Sequence, residues 1–513
     1  MLQTNKLRDN SGIYLLIIVA IAAILRLLFL GTIPNGFFTD EASNAYDAYS
    51  IGETLRDQYG EFLPLFAKSA NSYPESLYIF ISVPFIKIFG LNEFGARFPA
   101  ALIGILTIPI LYYLAKEFFN QRVALIAALF LAISPWHIQF SRIAFRAIIF
   151  PLLFCISLIF FLKSLRQTKY LPLSGLLFGI SIYTYNSARV FVPFFFLGLG
   201  IIFWQHLWEN RVKTLIAFVL FLIILIPLLI FSISPEGMAR ANEVGIEKNP
   251  FTIIQYYLSY FSPNFLFFEG DPISRHSPDD IGELYYFEII TVIFGLFLLF
   301  KENSQEKNIL LLWLFLYPFP AALISPNSSV RTIIGVPLFA ILSAYGTTKL
   351  IDLFQDKKKR ACIYSAVLIF LASLTIFVKQ YFIHYPTWKL IDWLTGMREI
   401  ITYADKSDYT CLVISQNLYS KYIYILVPFY TQFPPAEYQR LGIDVVTDKL
   451  DMGRWKIQNF DQQNKLNRNC LYIFKKEEIE ALAAKGYNWK EVHIVKDING
   501  DQHYKLVEVN SVN

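Results

Sequence analysis

The sequence predicts an all-α membrane domain of about eleven transmembrane helices, followed by a small C-terminal extracytoplasmic α/β domain. Of the 513 residues, 55% are hydrophobic and only 17% are charged, and the mean hydropathy is +0.44. Apolar runs of nearly the length of a membrane span follow one another up to residue 381, where a soluble pattern begins. We therefore place a multi-span domain at 1–381 and a soluble domain at 382–513.

Apolar runs mark the predicted spans, because a helix needs about 20 apolar residues to cross the hydrocarbon core of a bilayer. The runs that approach this length are 12–31, 98–118, 121–136, 147–162, 170–185, 190–207, 213–233, 284–300, 308–325, 332–351 and 361–381. The segment 74–90 is shorter and contains Pro84 and Lys87. We interpret it as an interfacial or re-entrant helix, and a true span is the alternative.

Basic residues orient the predicted spans. The net charge is only +5, and the basic residues lie mainly in short runs between apolar segments, which is typical of orientation signals and not of a nucleic-acid-binding surface. The runs that we assign to the cytoplasmic side are 6–8, 163–169, 211–213, 301–307 and 357–360. The other loops, including the first one at 34–97, then face outward.

The soluble tail combines strand-like segments, such as TCLVISQ and NCLYIF, with the helical segment EEIEALAAKGY. An odd number of spans separates the tail from a cytoplasmic N-terminus, so we expect the tail outside the cell membrane. The four cysteines are too few for a disulfide scaffold. Only Cys411 and Cys470 are placed where they could pair, and a disulfide and two separate thiols both remain open.

Two adjacent acids open the first outer loop. Asp40 and Glu41 follow the first predicted span by a few residues. This is the depth of the lipid headgroups, where a reaction at a headgroup would take place. They also precede a predicted amphipathic helix, with Asp47 and Asp57 on its polar face. Acids in the first turn of a helix are favoured by the helix dipole, so the pair has an ordinary structural explanation beside a catalytic one.

Arginines recur at the predicted outward ends of the spans, where membrane proteins usually have few basic residues. An anionic phosphate would give several of them a partner, whereas snorkelling towards the headgroups explains each one separately. These residues are Arg26, Arg142, Arg146, Arg189 and Arg331. The segment SPNSSVRT adds several donors where a helix is predicted to start near Val330, a geometry that suits either a bound phosphate or an ordinary helix cap.

The six histidines are scattered without the spacing of metal ligands, and the sequence contains neither a P-loop nor a dinucleotide fingerprint. We therefore predict no metal and no cofactor. His276, in SRHSPDD, is the one histidine with a candidate role in binding the substrate, and a solvated loop residue is the alternative.

Residues 12–350 resemble the GT-C superfamily of membrane glycosyltransferases, which includes the protein O-mannosyltransferases and the lipid A aminoarabinose transferase. The motifs that carry the resemblance are the Asp40–Glu41 pair, the arginine-containing first span, the turn SPWHIQFSR and the stretch FGLNEFGARFPAALIGILTIPILYYLAKEFF with Arg97. One departure is Tyr73, which stands before Pro74 where relatives commonly have a lysine, so Lys68 or an arginine would contact the phosphate instead.

The resemblance implies transfer of a sugar from a polyprenyl-phosphate donor to a hydroxyl group of a protein, lipid or glycan, with inversion at the anomeric carbon. It gives the role of catalytic base to Asp40 and a secondary role to Glu41. A transporter or lipid flippase is the alternative from another class, but no inverted repeat is visible and the charges gather at one face of the membrane. A polysaccharide polymerase or ligase is a third interpretation.

Overall fold

The computed structural model describes residues 10–69, 72–238, 245–278, 281–387, 392–415, 418, 423–442, 450–458, 466–467, 469–496 and 502–512. The chain divides into two compact units, each built from two stretches of sequence. The first unit comprises Met1–Leu28 and Ala100–Ile383, and the second comprises Phe29–Pro99 and His384–Asn513. The first outer loop therefore belongs to the same unit as the C-terminal domain.

Helices dominate the chain as far as residue 379. In chain order they are α1 Ser11–Leu27, α2 Thr39–Thr54, α3 Leu77–Phe89, α4 Glu93–Phe118, α5 Gln121–Ile133, α6 Pro135–Ser141, α7 Ile149–Ser164, α8 Leu171–Ser181, α9 Ala188–Ile202, α10 Trp204–Glu209, α11 Arg211–Ser232, α12 Pro250–Ser259, α13 Glu288–Lys301, α14 Glu306–Leu316, α15 Phe319–Ala322, α16 Gly335–Asp352 and α17 Asp356–Lys379. The C-terminal stretch adds α18 Met397–Asp405, α19 Leu426–Thr431, α20 Pro435–Arg440 and α21 Lys476–Ala484.

The predicted count of about eleven spans is not confirmed. Within the described residues, the helices long and apolar enough to cross a membrane are Glu93–Phe118, Arg146–Ser164, Arg211–Ser232 and Lys357–Thr387, with the pair α5 and α6, bent by 57°, as a fifth candidate. Several predicted runs fold as shorter helices. The run 190–207, for example, overlaps α9, whose 15 residues extend roughly 22 Å against a hydrocarbon core of about 30 Å.

The segment 74–90 folds as α3, a helix of 13 residues that contains Pro84. Such a helix extends only about 20 Å, so it is short for a membrane span. Its interfacial placement stays a prediction.

Helices of the first unit approach each other closely at glycine residues, which have no side chain to separate the two backbones. A Cβ added to Gly346 on α16 would collide with the carbonyl oxygen of Thr291 on α13, and one added to Gly175 on α8 would collide with the carbonyl oxygen of Ala217 on α11. The hydroxyl groups of Thr291 and Ser343 also hydrogen-bond between α13 and α16 at 2.7 Å. Small residues and interhelical hydrogen bonds are the usual means of helix packing in lipid.

The C-terminal stretch forms the α/β domain that the sequence predicts. Its strands are β1 Cys411–Ser415, β2 Leu450–Met452, β3 Trp455–Gln458, β4 Cys470–Lys475, β5 Tyr487–Lys496 and β6 Gln502–Val512, in the sheet order β2-β3-β1-β4-β6-β5. Strand β1 is parallel to β3 and β4, and the other pairs are antiparallel. Cys411 and Cys470 form a disulfide between neighbouring strands β1 and β4, which decides between the two open alternatives.

The first outer loop and the C-terminal stretch pack against each other within the second unit. The rings of Phe37 and Phe429 stack with centroids 4.6 Å apart, and the Tyr46 hydroxyl donates to the carbonyl oxygen of Phe433 at 2.8 Å. The side-chain amide of Gln439 donates to the hydroxyl group of Ser50 at 2.9 Å. Helix α2 is therefore enclosed by protein on several sides, and the amphipathic surface helix expected from the sequence is wrong.

The burial of α2 places two acids in the interior that the sequence assigns to a solvated face. Asp47 and Asp57 are 1% and 0% exposed. Gln58 donates its backbone N–H to Asp47 at 2.9 Å and its side-chain amide at 3.1 Å. Burial, reinforced by the charge of Asp57, raises the pKa of Asp47 well above its usual range. Hydrogen bonds supplied by the loop replace the water that a surface helix would have provided.

Candidate active site

The two acids at the start of α2 lie in opposite environments. Glu41 is fully buried, whereas Asp40 beside it is exposed. The Glu41 carboxylate accepts a hydrogen bond from the backbone N–H of Phe38 at 3.2 Å, which satisfies one of the free donors at the beginning of a helix. Glu41 thus performs the capping role that the sequence left open for either acid.

Arg97 on α4 holds Glu41 through two nitrogens of its guanidinium group. Its Nε and Nη2 donate to the two carboxylate oxygens of Glu41 at 2.9 and 3.0 Å. Nη1 donates to the carbonyl oxygens of Leu30 and Pro34, and Nη2 donates to that of Gly36. All five N–H donors of Arg97 are therefore used inside the protein, in a bidentate ion pair with both partners 0% exposed.

Lys68 lies in the same unit, in the loop between α2 and α3. Its ammonium group is 4.8 Å from the centre of the Tyr59 ring, a cation–π contact. The Tyr59 hydroxyl in turn hydrogen-bonds the Tyr424 hydroxyl at 2.9 Å. Lys68 is half-buried.

Arg26, at the end of α1, is fully buried and donates hydrogen bonds to groups at the break between α5 and α6. Its five N–H donors contact Ala22 O, Leu131 O, Ala132 O, Ser141 Oγ and His137 Nδ1 at 2.7–3.3 Å. A bent helix frees backbone carbonyl groups that water cannot reach inside a membrane protein. Arg26 therefore satisfies the carbonyl groups freed at the bend, and its donors are used by the protein.

The other arginines predicted at the outer face differ in exposure. Arg142 is fully buried, donates to the carbonyl oxygens of Leu25 and Arg26, and lies 4.9 Å from the ring centre of Phe382. In contrast, Arg146, Arg189 and Arg331 are only half-buried. The guanidinium group of Arg146 lies 5.4 Å from the Tyr185 ring, and Arg331 donates to the hydroxyl group of Ser325 at 2.6 Å.

The turn SPNSSVRT differs from its prediction. Helix α16 begins at Gly335 and not near Val330, and Asn327 adopts a left-handed conformation with φ 49°. The Tyr260 hydroxyl accepts the backbone N–H of Ser328 at 3.2 Å, and Asp271 accepts both the N–H and the hydroxyl of Ser329. The predicted helix start near Val330 is therefore wrong, and phosphate binding at this turn stays a prediction.

His276 pairs with an acid that the sequence analysis missed. Its Nδ1 lies 2.9 Å from Oδ2 of Asp271, five residues earlier in the chain, and its side chain is 12% exposed. The spacing Asp-x₄-His alone is common and does not indicate a contact, because a loop determines whether the two groups meet. The structure brings them together with the turn that contains Ser329.

A cavity of about 560 Å³ lies in the second unit, beside α18 and the start of the first outer loop. Its charged lining residues are Glu93, Arg398, Glu399, Lys406 and Lys496. None of the ten predicted site residues, all of which the structure describes, lines this cavity. The cavity is therefore separate from the acid pair and the arginines.

Solved structures identify the class of fold. ArnT from Cupriavidus metallidurans in the apo state matches with a TM-score of 0.63 at 13% identity, over 98% of this chain and 99% of that one. The same protein bound to undecaprenyl phosphate matches with a TM-score of 0.58 at 15% identity, over the same shares. The Archaeoglobus fulgidus oligosaccharyltransferase in the apo form matches with a TM-score of 0.54 at 14% identity, over 97% of this chain and 74% of that one. The predicted resemblance to GT-C membrane glycosyltransferases is confirmed.

A family model adds a match in sequence. Residues 77–231 match the model of the dolichyl-phosphate-mannose-protein mannosyltransferase family. This stretch runs from α3 to α11 and contains Arg97, Arg142, Arg146 and Arg189. No match was found among curated proteins.

The buried pair leads to a prediction on stability. Glu41→Gln keeps the side-chain volume but leaves the Arg97 guanidinium buried without a counter-charge, so we expect a loss of about 3 to 5 kcal/mol in the free energy of unfolding. Denaturant unfolding in detergent micelles, followed through tryptophan fluorescence, measures this loss.

Glu53→Gln is the matched control for this prediction, because Glu53 is an exposed acid on the same helix. We expect its unfolding free energy to stay within about 0.5 kcal/mol of the wild type. Equal stability of the Glu41→Gln and Glu53→Gln proteins would contradict a structural role for the Glu41–Arg97 pair.

Proposed function

We propose that the protein is a membrane glycosyltransferase that moves a hexose or pentose from a polyprenyl-phosphate donor to an acceptor hydroxyl group. One observation carries the proposal: the exposed carboxylate of Asp40 stands beside a carboxylate that Arg97 immobilises. Neighbouring acids in contrasting environments commonly divide structural and chemical roles. Asp40 is the acid of the pair that an incoming hydroxyl group can reach.

Asp40 acts as the general base in this proposal. It removes the proton of the acceptor hydroxyl as the oxygen attacks the anomeric carbon from the side opposite the phosphate, which inverts the configuration there. A positioned base contributes roughly 10² to 10⁴ in rate. Glu41 contributes indirectly, since its pairing with Arg97 and with Phe38 N–H fixes the backbone that carries Asp40.

The departing lipid phosphate needs positive charge, and the half-buried arginines are the proposed source. Arg146, Arg189 and Arg331 combine a fixed position with partial exposure, and Lys68 adds an amine. Guanidinium groups bind phosphate through paired, charge-assisted hydrogen bonds. We assign structural roles to Arg26 and Arg97, because the protein itself uses all their donors. The buried Arg142 is assigned a structural role as well, since it donates to the carbonyl oxygen of Leu25.

The comparisons support a lipid-phosphate donor. The matching family is named for dolichyl-phosphate-mannose, and one matching ArnT structure contains undecaprenyl phosphate. A transporter or polymerase finds no comparable support among these matches. The acceptor class, whether protein, lipid or glycan, is left open by the proposal.

Asp40→Asn tests the base. Asp40 is exposed and Glu41 makes the capping bond, so we expect a folded, membrane-inserted protein whose transfer rate at saturating donor falls by about 10²-fold or more. Transfer is measured in vesicles with a radiolabelled polyprenyl-phosphate sugar. Near-normal transfer by Asp40→Asn would remove Asp40 from the chemistry, and Glu53→Gln serves again as the control that should keep its activity.

Arg331 tests the phosphate site. A lysine at this position supplies a point charge in place of a planar fork, so Arg331→Lys should raise the KM for the donor and Arg331→Ala should raise it by on the order of tenfold or more. Arg122→Lys is the control, because Arg122 is exposed and pairs with Asp352. If both Arg331 variants bind the donor normally, Arg331 does not contact the phosphate.

The orientation of the C-terminal domain belongs to the same proposal. We propose that residues 382–513 lie outside the cytoplasm, on the side where lipid-linked sugars are presented, because the basic flanks fix the cytoplasmic loops. A disulfide between Cys411 and Cys470 fits an oxidising compartment. A reporter that is active only in the cytoplasm should stay silent after Asn513, and activity there would overturn the orientation.

A further inference from the structure

Asp271 organises a cluster of hydrogen bonds in the first unit that the proposed mechanism has not used. Its Oδ2 accepts from His276 Nδ1 at 2.9 Å, from Ser329 N–H at 2.8 Å and from Ser329 Oγ at 3.0 Å. Its Oδ1 accepts from the backbone N–H of Ile273 at 2.8 Å. Both oxygens are occupied, so the carboxylate is held as an acceptor at the centre of the cluster.

This arrangement decides which nitrogen of His276 can exchange a proton. A carboxylate accepts hydrogen bonds, so Nδ1 carries the hydrogen that points to Asp271. Nε2 is then the position that gains or loses a proton while the ring keeps its orientation. An acid that fixes one imidazole nitrogen and leaves the other for proton transfer is a recurrent arrangement in enzymes.

Residues that contact the His276–Asp271 pair lie close in sequence to two of the arginines proposed to hold the phosphate. The rings of Phe140 and Phe145 lie 5.9 and 6.2 Å from the imidazole ring, and Arg146 follows Phe145 directly in the chain. Ser329, bound to Asp271, stands two residues before Arg331. The imidazole is therefore held on a framework that also carries two of the half-buried arginines.

Other titratable groups adjoin this cluster. Glu283 accepts the backbone N–H of Asp271 at 3.1 Å, and burial next to Asp271 raises its pKa well above the usual range. The Tyr260 hydroxyl accepts the backbone N–H of Ser328 at 3.2 Å. Arg275 precedes His276 in the chain. Asp271 is the acid that contacts the imidazole directly in the described residues.

We propose that His276 donates a proton to the phosphate group as it leaves the sugar, and that Asp271 is the residue that positions His276. The inference rests on the proposed function and extends it with a general acid that complements the base. Asp271 acts through His276 and through the Ser329 turn, whereas His276 acts on the substrate itself.

The proposed step balances in atoms and charge. The bond between the anomeric carbon and the phosphate oxygen breaks, and its electron pair stays on that oxygen. The proton on Nε2 of the His276 imidazolium moves to the phosphate, which departs as the polyprenyl phosphate monoanion. The proton of the acceptor hydroxyl goes to Asp40. Water then returns one proton to His276 and takes one from Asp40, so neither an oxidant nor a further reactant is needed.

Imidazole and phosphate are well matched for this transfer. Imidazole and the phosphate monoester are both groups that exchange a proton near neutral pH. Proton transfer between groups of similar pKa has little thermodynamic cost, which is the condition for efficient general acid catalysis near neutral pH. A lysine or arginine would neutralise the phosphate without delivering a proton.

His276→Asn is the decisive variant, because it separates a structural role from a chemical one. The Asn side-chain amide can still donate to Asp271, so a merely structural residue would tolerate the change. Loss of proton donation should lower kcat by about 10²-fold, with the KM for the donor little changed. Wild-type kcat should fall towards alkaline pH, because a general acid acts only in its protonated form, and His276→Asn should lose this fall. Added imidazole should restore part of the rate.

A control variant completes the comparison. His493→Asn is the matched control, since His493 pairs with Glu399 in the C-terminal stretch, and it should behave as the wild type. A normal kcat and pH profile in His276→Asn would overturn the inference, as would a slow variant that keeps the alkaline fall and is not rescued by imidazole. If the variant does not fold, the wild-type pH profile decides, because a kcat that does not fall towards alkaline pH contradicts a general acid.

The same assay distinguishes failure of the inference from failure of the proposed function. A wild-type protein that transfers no sugar from any lipid-phosphate donor overturns both. An active wild type with an inactive Asp40→Asn and an unaffected His276→Asn keeps the function and removes only the general acid.

Discussion

The bidentate pair of Glu41 and Arg97 is the constraint on which the start of α2 and its preceding segment depend. A guanidinium group without exposed surface must find an acceptor for every N–H, and here a carboxylate and three backbone carbonyl groups supply them. These acceptors belong to the segment that leads from the first helix into α2. One side chain therefore fixes the path of that segment, and with it the position of Asp40.

Arginine burial separates two kinds of basic residue that look identical in the sequence. Arg26 and Arg331 were both predicted from their place at the outer ends of spans. The structure shows Arg26 saturated by carbonyl groups at a bent helix, whereas Arg331 stays half-buried with a hydroxyl partner. Hydropathy predicts the depth of a residue, but the acceptors around it depend on where neighbouring helices break. The positions of those breaks are a property of the tertiary structure and not of the local sequence.

The sequence predicts the helical class, the C-terminal α/β domain and the GT-C resemblance, because each depends on composition or on local pattern. It fails where distant segments meet. Asp47 has the spacing of a solvated face, yet residues from beyond 420 cover α2. Asp271 and His276 lie five residues apart, and only the loop conformation and Ser329 make them a pair. The span count is not confirmed, since apolar runs do not report where helices end.

The C-terminal stretch forms one compact unit with the first predicted outer loop, so it also supports the helix that carries Asp40. A boundary near residue 382 is natural in composition, but Phe37, Tyr46 and Ser50 are packed or hydrogen-bonded by residues from 429 to 439. The helix that carries Asp40 thus depends on the tail for part of its own burial. Removing the tail would expose the apolar and hydrogen-bonding side of α2, so a loss of activity in a truncated protein would report on support for the acid pair as much as on acceptor binding.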